Sequence, residues 1–177
     1  MIFFTVLILM IAQRIYELQM AKKNTRVIRK NGGIEFGANH YWIIVGLHTL
    51  FFMSMLVESY VRGIHPPFFW PFLFLIILTS QAGRVWLIHT MKGRWTTRIL
   101  VIPKEQLVVD GPFRFLPHPN YTIVVIEILI FPLIFGLFYT SIIFTTLNAL
   151  VLLAVRIPEE RRALDWAKSP NPTMQSN

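Results

Sequence analysis

Residues 122–155 read TIVVIEILIFPLIFGLFYTSIIFTTLNALVLLAV, and Glu127 is the only charged side chain among them. A run of about 20 apolar residues is enough for one helix to cross the hydrocarbon core of a bilayer. This run is long enough for two crossings, with Gly136 near the turn between them. The stretch therefore predicts two consecutive transmembrane helices, the first of which is short and is bent or ended by Pro132.

The composition of the whole chain agrees with a bilayer environment. The 177 residues are 54% hydrophobic and 15% charged, with a mean hydropathy of +0.54, more apolar surface than a soluble domain of this size can bury. The predicted fold class is an all-α integral membrane bundle of about five transmembrane helices, without a Rossmann sheet. We expect residues 1–168 to form one domain and 169–177 a flexible tail. The predicted spans are 1–20, 41–61, 68–89, 120–136 and 138–156.

The distribution of charge gives the predicted orientation. The net charge of +8 comes from basic residues in 21–40, 90–119 and the tail from 156, whereas the other connections are nearly free of charge. Lys and Arg are enriched in cytoplasmic loops, so we expect the N-terminus outside and the C-terminus inside the cell. This grouping also explains the basic character of the chain without a nucleic-acid partner. In the third loop, 98–103 and 106–109 are compatible with two short strands or with a segment on the membrane surface.

The chain contains no cysteine, which excludes disulfides and thiolate metal sites, and no metal site is predicted. Its first apolar stretch lacks the positive start and the small-residue cleavage site of a secretory signal. We therefore expect that stretch to be a retained first span.

Polar chemistry collects at the predicted cytoplasmic ends of three spans. We expect these ends to form a pocket that a polar cofactor enters from water and a lipophilic substrate enters from the bilayer. Two simpler interpretations stay open: aromatic membrane anchors, and an ordinary acidic helix start after Pro158. The residues concerned are Arg84, Trp86 and Trp95 at the third span, His118, Asn120 and Tyr121 at the fourth, and Arg156, Glu159 and Glu160 at the fifth.

Glu127 lies two helical turns beyond Asn120, roughly 10 Å deeper on the same helix face. A charged side chain near mid-bilayer costs about 2.5–3.5 kcal/mol on insertion scales, so Glu127 needs a partner. Arg84, inside the cytoplasmic end of the third span, is the predicted partner. The sequence leaves open whether Glu127 serves only this pairing or also lines a substrate pocket.

Three segments follow one another in an informative order: GRVWLIHTMKGRWTTRILVIP at 83–103, GPFRFLPHPNY at 111–121 and RIPEERRAL at 156–164. Together they resemble the isoprenylcysteine carboxyl methyltransferase family of integral membrane enzymes. The resemblance implies a helical membrane fold that binds S-adenosylmethionine without a Rossmann sheet, and the chain has no GxGxxG motif.

The resemblance also implies roles for individual residues. It implies that two groups on the cytoplasmic face bind the cofactor, and it matches Arg84 and Trp86 to the family's arginine–aromatic pair. The implied cofactor-binding residues are His118, Pro119, Tyr121, Glu159 and Glu160. From charge and position, the predicted catalytic residues are Arg84, Arg156 and Glu160, and the predicted pocket residues are Trp86 and Glu127.

This chain departs from the family pattern at two positions. Pro117 stands where the family usually has arginine before His-Pro, and Ile123 stands where glycine is common two residues after the tyrosine. Arg114 is the candidate to supply the missing charge. The form HPNYTIVVIE is more similar to a bacterial branch that acts on lipophilic small molecules such as alkylpyrones, methylated on oxygen.

These features predict an O-methyltransferase of the bacterial cell membrane that uses S-adenosylmethionine, with an active site facing the cytoplasm. Its partners are membrane lipids and a lipophilic acceptor, either a long-chain polyketide or a lipid-linked carboxylate such as isoprenylcysteine. The alternatives are an NADPH-dependent membrane reductase of the steroid-reductase type, which carries a similar HPNY-like segment, and a non-catalytic membrane protein.

Overall fold

The computed structural model describes residues 1–169, so the tail predicted for 169–177 lies outside the described residues from position 170 onward. Two three-residue strands are the only sheet within residues 1–169, which confirms the all-α prediction and the lack of a Rossmann sheet there. The helices are α1 (Ile2–Lys30), α2 (Tyr41–Arg62), α3 (Trp70–Met91), α4 (Pro119–Ile134), α5 (Phe138–Val151) and α6 (Ile157–Lys168), with a π-helical turn at Leu152–Arg156. The strands are β1 (Ile34–Phe36) and β2 (Ile99–Val101).

The helices have the lengths and compositions of membrane spans. Four helical segments are long and apolar enough to cross a bilayer: Ile2–Lys30, Ala38–Arg62, Trp70–Arg94 and Phe138–Lys168. The apolar α4 has 16 residues, or about 24 Å of helix, and it ends two residues after Pro132. The chain is therefore an integral membrane protein, and the short fourth helix predicted from Pro132 is confirmed.

The first helix is longer than its predicted span. We expected residues 21–40 to be a loop, but α1 continues to Lys30 and ends at the Asn31-Gly32-Gly33 turn. Hydropathy marks where a helix leaves the membrane, not where it ends. Residues 21–30 are rich in good helix formers, and they bury Ala21, Thr25 and Ile28 on one face.

The described chain divides into two compact units that differ in charge. The first unit contains fourteen of the seventeen Lys and Arg residues and six of the nine Asp and Glu residues, so the whole net charge of +8 falls in it. The second unit has three of each and is neutral. The first unit comprises 1–39, 91–107 and 156–177, and the second 40–90 and 108–155. The single-domain assignment stays a prediction.

In the second unit, α4 and α5 form an antiparallel hairpin, and α2 packs against α5. Ser141 Oγ donates to the Leu129 carbonyl at 2.6 Å, which joins the two arms of the hairpin. Between α2 and α5, Ser54 and Thr140 share a hydrogen bond of 2.8 Å, and the rings of Phe51 and Phe144 meet edge to face. These contacts set the register of three neighbouring helices.

The N-terminus of α5 is capped by a side chain from another helix. The buried Glu58 of α2 accepts hydrogen bonds from the backbone N–H groups of Tyr139 and Thr140, at 3.1 and 2.7 Å. These groups lie in the first turn of α5, where N–H groups have no partner within the helix. Glu58 therefore supplies an anion where the helix dipole favours one.

Glu58→Ala is expected to lower the free energy of unfolding by about 1–3 kcal/mol, because it leaves two buried N–H groups without a partner. Glu58→Gln keeps an acceptor oxygen and should recover part of the loss. Thermal unfolding of the purified protein in detergent measures both. Ser59→Ala, which changes the adjacent residue, is the control. A Glu58→Ala protein that melts with the wild type would contradict this role.

The first unit is built around the two strands. β1 and β2 pair antiparallel, with Glu35 opposite Leu100, and α6 and the end of α1 pack against them. Glu35 binds both Arg29 and Arg98, and the rings of Phe36 and Trp166 lie 5.5 Å apart. Of the two strands considered for the third loop, only 99–101 forms, and its partner is a strand in a segment that we expected to be a loop.

Candidate functional site

The segment His118–Tyr121 forms the start of α4. Pro119 occupies the first helical turn, where the missing N–H of proline has no cost, and it is buried. The N–H of Tyr121 donates to the His118 carbonyl at 3.1 Å. The rings of His118 and Tyr121 stack, with centroids 5.3 Å apart and an angle of 18° between planes. The sequence His-Pro-x-Tyr thus places two ring faces side by side at a helix entrance.

The turn before α4 is fixed against α3. Gly111 has φ of +61°, and a Cβ added there would lie 2.4 Å from Thr90 Oγ1, so both the backbone conformation and the space require glycine. After this turn, the ring of Phe115 lies 6.3 Å from that of Trp86. Arg114, the candidate for the missing family charge, pairs with Asp110 at 2.8 Å, and both side chains are exposed.

Arg84 and Glu127 form a buried ion pair between α3 and α4. Arg84 Nε donates to Glu127 Oε1 at 2.9 Å and Arg84 Nη2 to Oε2 at 2.5 Å, while the two residues are 2% and 3% exposed. Gln81 Nε2 also donates to Oε1, at 2.8 Å. The two-pronged geometry is the strongest form of such a contact. The pairing of Glu127 with Arg84 predicted from the sequence is confirmed.

Two further residues of α4, Ile123 and Asn120, lie near the helix entrance where we expect a ligand to bind. Ile123, which replaces the common glycine, is buried, and a Cβ added at Gly83 of α3 would lie 3.9 Å from its Cδ1. Ile123 therefore packs close to the Gly83 position of α3, at a distance that an added Cβ would also tolerate. Asn120 has a buried Oδ1 with no hydrogen-bond partner among residues 1–169, so it offers an acceptor at the helix entrance.

In the first unit, three predicted residues lie at the start of α6. Arg156 Nη2 donates to the Thr97 carbonyl at 2.7 Å. Glu159 and Glu160 follow Pro158 near the start of α6, where the helix continues directly from the π-helical turn, and both are half-buried. Gly37 has φ of +63°, and a Cβ there would lie 3.4 Å from Glu159 Cγ. The backbone before α2 therefore passes close to the first of these carboxylates.

Comparison with protein-family models matches residues 72–166, more than half of the chain, to the isoprenylcysteine carboxyl methyltransferase (ICMT) family. The chain belongs to the ICMT family. The match runs from α3 into α6, and it includes every residue implied by the sequence resemblance. The resemblance stated from the sequence is therefore confirmed.

Two relatives of this ICMT-family protein are bacterial and uncharacterized. The protein YpbQ of Bacillus subtilis is 38% identical over 162 residues, which is 92% of this chain and 96% of the relative. A protein of Haemophilus influenzae is 24% identical over 155 residues, which is 87% of this chain and 90% of the relative. No solved structure matches the chain significantly.

The implied ICMT-family site residues fall into two sets, one in each unit. Within the second unit, the structure brings Arg84 to Glu127 and His118 to Tyr121, with Pro119 between the two rings in sequence. The remaining implied residues divide in the same way: Trp86 is in the second unit, and Arg156, Glu159 and Glu160 are in the first. The assignment of all these residues to one active site stays a prediction.

Sequence reasoning missed several polar partners. Gln81 joins the Arg84–Glu127 pair, and its position three residues before Arg84 places it on the same side of α3, which is a signal that could have been read. Glu35 binds Arg29 and also Arg98, which lies 63 residues after Glu35, and nothing in the sequence links those positions. Arg156 donates to the backbone carbonyl of Thr97, and nothing in the sequence indicates that contact either.

Proposed function

We propose that this ICMT-family protein is an integral membrane O-methyltransferase that takes its methyl group from S-adenosylmethionine. The observation that carries the proposal is the family match across 72–166, which contains both the His118–Tyr121 segment and the Arg156–Glu160 segment. The acceptor is an oxygen on a lipophilic molecule. Our candidates are the enol or hydroxyl of a long-chain polyketide of the alkylpyrone type and a lipid-linked carboxylate such as isoprenylcysteine.

The side chains fit the chemistry of this cofactor. S-adenosylmethionine, when bound, supplies a methyl group on a sulfonium cation. The stacked faces of His118 and Tyr121 suit a cation or a planar base. The buried Oδ1 of Asn120 and the carboxylates of Glu159 and Glu160 suit the amino group and the hydroxyl groups of such a molecule, which donate hydrogen bonds.

The work left to the protein is alignment and exclusion of water. Methyl transfer is an in-line displacement, so holding the acceptor oxygen in line with the methyl group supplies much of the rate. An acceptor that is already anionic needs no strong base. Arg156 or Arg84 orients that anion. We assign this role first to Arg156, because the carboxylate of Glu127 already neutralises Arg84.

The charge distribution supports the proposed location. All of the net positive charge lies in the first unit, which contains α1 and α6, and the basic residues of α1 follow its apolar start. Basic residues favour the cytoplasmic side of a membrane. We therefore propose the bacterial cell membrane as the location, with the N-terminus outside, the C-terminus inside and the active site open to the cytoplasm.

Transfer of a labelled methyl group tests the proposal. The purified protein in lipid nanodiscs is mixed with methyl-labelled S-adenosylmethionine and a lipid extract of bacterial membranes, and label is counted in the organic phase. We expect label above a protein-free blank. His118→Ala and Glu160→Gln should each lower transfer by about 10- to 100-fold, because each removes a contact to a polar or charged ligand.

Matched controls come from the same elements. His89→Ala changes an exposed histidine at the end of α3, and Asp165→Asn changes an exposed carboxylate on α6. Both should transfer label at the wild-type rate. Equal transfer by all four variants, or none by the wild type with extracts that contain both acceptor classes, would contradict the proposed function.

A further inference from the structure

One face of the mainly apolar helix α5 carries a line of three polar side chains. Ser141, Thr145 and Asn148 follow at spacings of four and three residues, so they share a face. The Ser141 hydroxyl donates a hydrogen bond to the Leu129 carbonyl, so this face is directed toward α4 at Ser141. Thr145 and Asn148 continue the line toward the end of the hairpin at which α4 begins.

The two later members of the line lack partners. Asn148 is 4% exposed, and its Nδ2 finds no hydrogen-bond acceptor in residues 1–169; Thr145 Oγ1 is also buried and equally without a partner there. This is unusual for a hydroxyl in a membrane helix, which commonly bonds to the carbonyl four residues earlier. The adjacent Thr146 does so, donating to Ile142 at 2.9 Å. Thr145 therefore lacks the backbone hydrogen bond that its neighbour makes.

The hairpin register places these atoms level with the part of α4 that follows the His118–Tyr121 segment. Ser141 contacts Leu129, and α4 and α5 run antiparallel, so seven residues further along α5 corresponds to about seven residues back along α4. Asn148 is therefore level with residues 122–124, immediately after Tyr121. Phe144, one turn before Asn148, contacts Phe51 of α2, so Asn148 lies on the part of α5 between its two helical neighbours.

An unpaired amide in this position is costly. A buried amide without a hydrogen bond costs several kcal/mol in hydrocarbon, and leucine would fill the same space without that cost. The side chains of α4 at positions 123–126 are all apolar. A carbonyl or hydroxyl oxygen has two lone pairs, so a single such oxygen on an apolar body can accept hydrogen bonds from both Asn148 Nδ2 and Thr145 Oγ1.

We propose that Asn148 Nδ2 and Thr145 Oγ1 form a subsite that binds a carbonyl or hydroxyl oxygen at the head of a lipophilic molecule. The subsite deepens the proposed function and rests on it for its purpose, since the bound molecule is the methyl acceptor, held near the start of α4. It adds a specificity: the acceptor carries an oxygen that accepts hydrogen bonds, next to or identical with the oxygen that is methylated. An alkyl chain extends from it along the apolar helices.

Photolabelling tests the subsite without any need for turnover. Three C16 probes carry a photoactivatable diazirine at the same carbon near one end: an alcohol, a methyl ketone and a hydrocarbon without oxygen. Each is incorporated into nanodiscs with the full-length protein and irradiated, and labelled peptides are mapped by mass spectrometry. We expect the alcohol and ketone to label the segment around residues 145–152 of wild-type protein, and the hydrocarbon to label it about tenfold less.

Variants separate a hydrogen-bonding subsite from a lipid crevice. Asn148→Leu should reduce labelling by the oxygen-bearing probes about tenfold and raise the melting temperature by about 2–4 °C, because it removes a buried unpaired group. Thr145→Val should reduce labelling in the same direction and provides a second variant. Thr146→Val, on the adjacent exposed position, should change neither labelling nor melting temperature. A purely structural Asn148 would instead lower the melting temperature when replaced.

The outcomes distinguish this subsite from the proposed function. Equal labelling by all three probes, or unchanged labelling in both Asn148→Leu and Thr145→Val, would overturn the subsite even if the protein transfers methyl groups. Labelling that depends on Asn148 in a protein that does not bind S-adenosylmethionine would retain the subsite and remove the methyltransferase. Oxygen-dependent labelling together with a higher melting temperature in Asn148→Leu supports the subsite.

Discussion

Arg84→Met is expected to destabilise the protein by about 3–5 kcal/mol, because it leaves the carboxylate of Glu127 buried without its charged partner. Gln81 would retain one hydrogen bond to Glu127 Oε1, but an amide does not neutralise the charge. Chemical or thermal unfolding in detergent micelles measures the loss. The effect is large because both residues are almost fully inaccessible to solvent.

A double variant tests whether the loss comes from the pair. Arg84→Met/Glu127→Leu removes both charges and replaces them with side chains of similar size, so it should be markedly more stable than Arg84→Met alone. The coupling between the two positions should then be more than about 1 kcal/mol. Additive losses would show that Arg84 and Glu127 act independently, contrary to the structure. The double variant should also report on Arg84 in catalysis, because its activity can be compared at restored stability.

Gly136→Ala is expected to destabilise the protein by about 3 kcal/mol or more, through two separate effects. Gly136 has φ of +76°, a conformation that side chains with a Cβ rarely adopt. The added Cβ would also lie 2.2 Å from the backbone carbonyl oxygen of His65, which cannot rotate away as a side chain can. The N–H of His65 donates to the Phe135 carbonyl, so the two turns are held together at the point of the clash.

The matched control is Gly46→Ala, in the middle of α2. Gly46 has no other atom within 4 Å of its would-be Cβ and is not in the left-handed region, so alanine there should be neutral or stabilise by up to about 1 kcal/mol. The melting temperature should therefore fall in Gly136→Ala and stay the same or rise in Gly46→Ala. A Gly136→Ala protein as stable as the wild type would mean that the turns of residues 63–67 and 135–137 are not packed as described.

The sequence predicted the parts of the fold that depend on one segment at a time. Apolar length located the spans, Pro132 shortened the fourth helix, and the cost of a charge in the membrane paired Glu127 with Arg84. Contacts between distant segments could not be predicted in this way. Glu35 serves Arg98 across a strand pair that joins two predicted loops, and Glu58 caps a helix that begins 80 residues later. Strands of three residues form only when distant segments meet in the folded protein, and the same is true of a side chain that caps another helix. The periodicity of apolar residues along one segment does not indicate such contacts.

The candidate site was accessible to sequence reasoning for a different reason. The residues at His118–Tyr121 and Arg156–Glu160 stand in short, ordered motifs that the family match includes. No sequence motif marks the Asn148 subsite. A single asparagine in an apolar helix does not by itself indicate a binding site. Its significance depends on a contrast visible only with coordinates: Ser141 and Thr146 have partners, whereas Asn148 Nδ2 and Thr145 Oγ1 have none within the described chain.

The most direct test of the account is a binding titration of the purified protein with S-adenosylmethionine and, separately, with NADPH. We predict saturable binding of S-adenosylmethionine, with a stabilisation of about 2.7 kcal/mol at a hundred times its Kd and a rise in melting temperature of about 5–10 °C. NADPH should produce neither, and His118→Ala and Glu160→Gln should each weaken the binding. Saturable binding of NADPH in place of S-adenosylmethionine, or no response to either, would contradict the account.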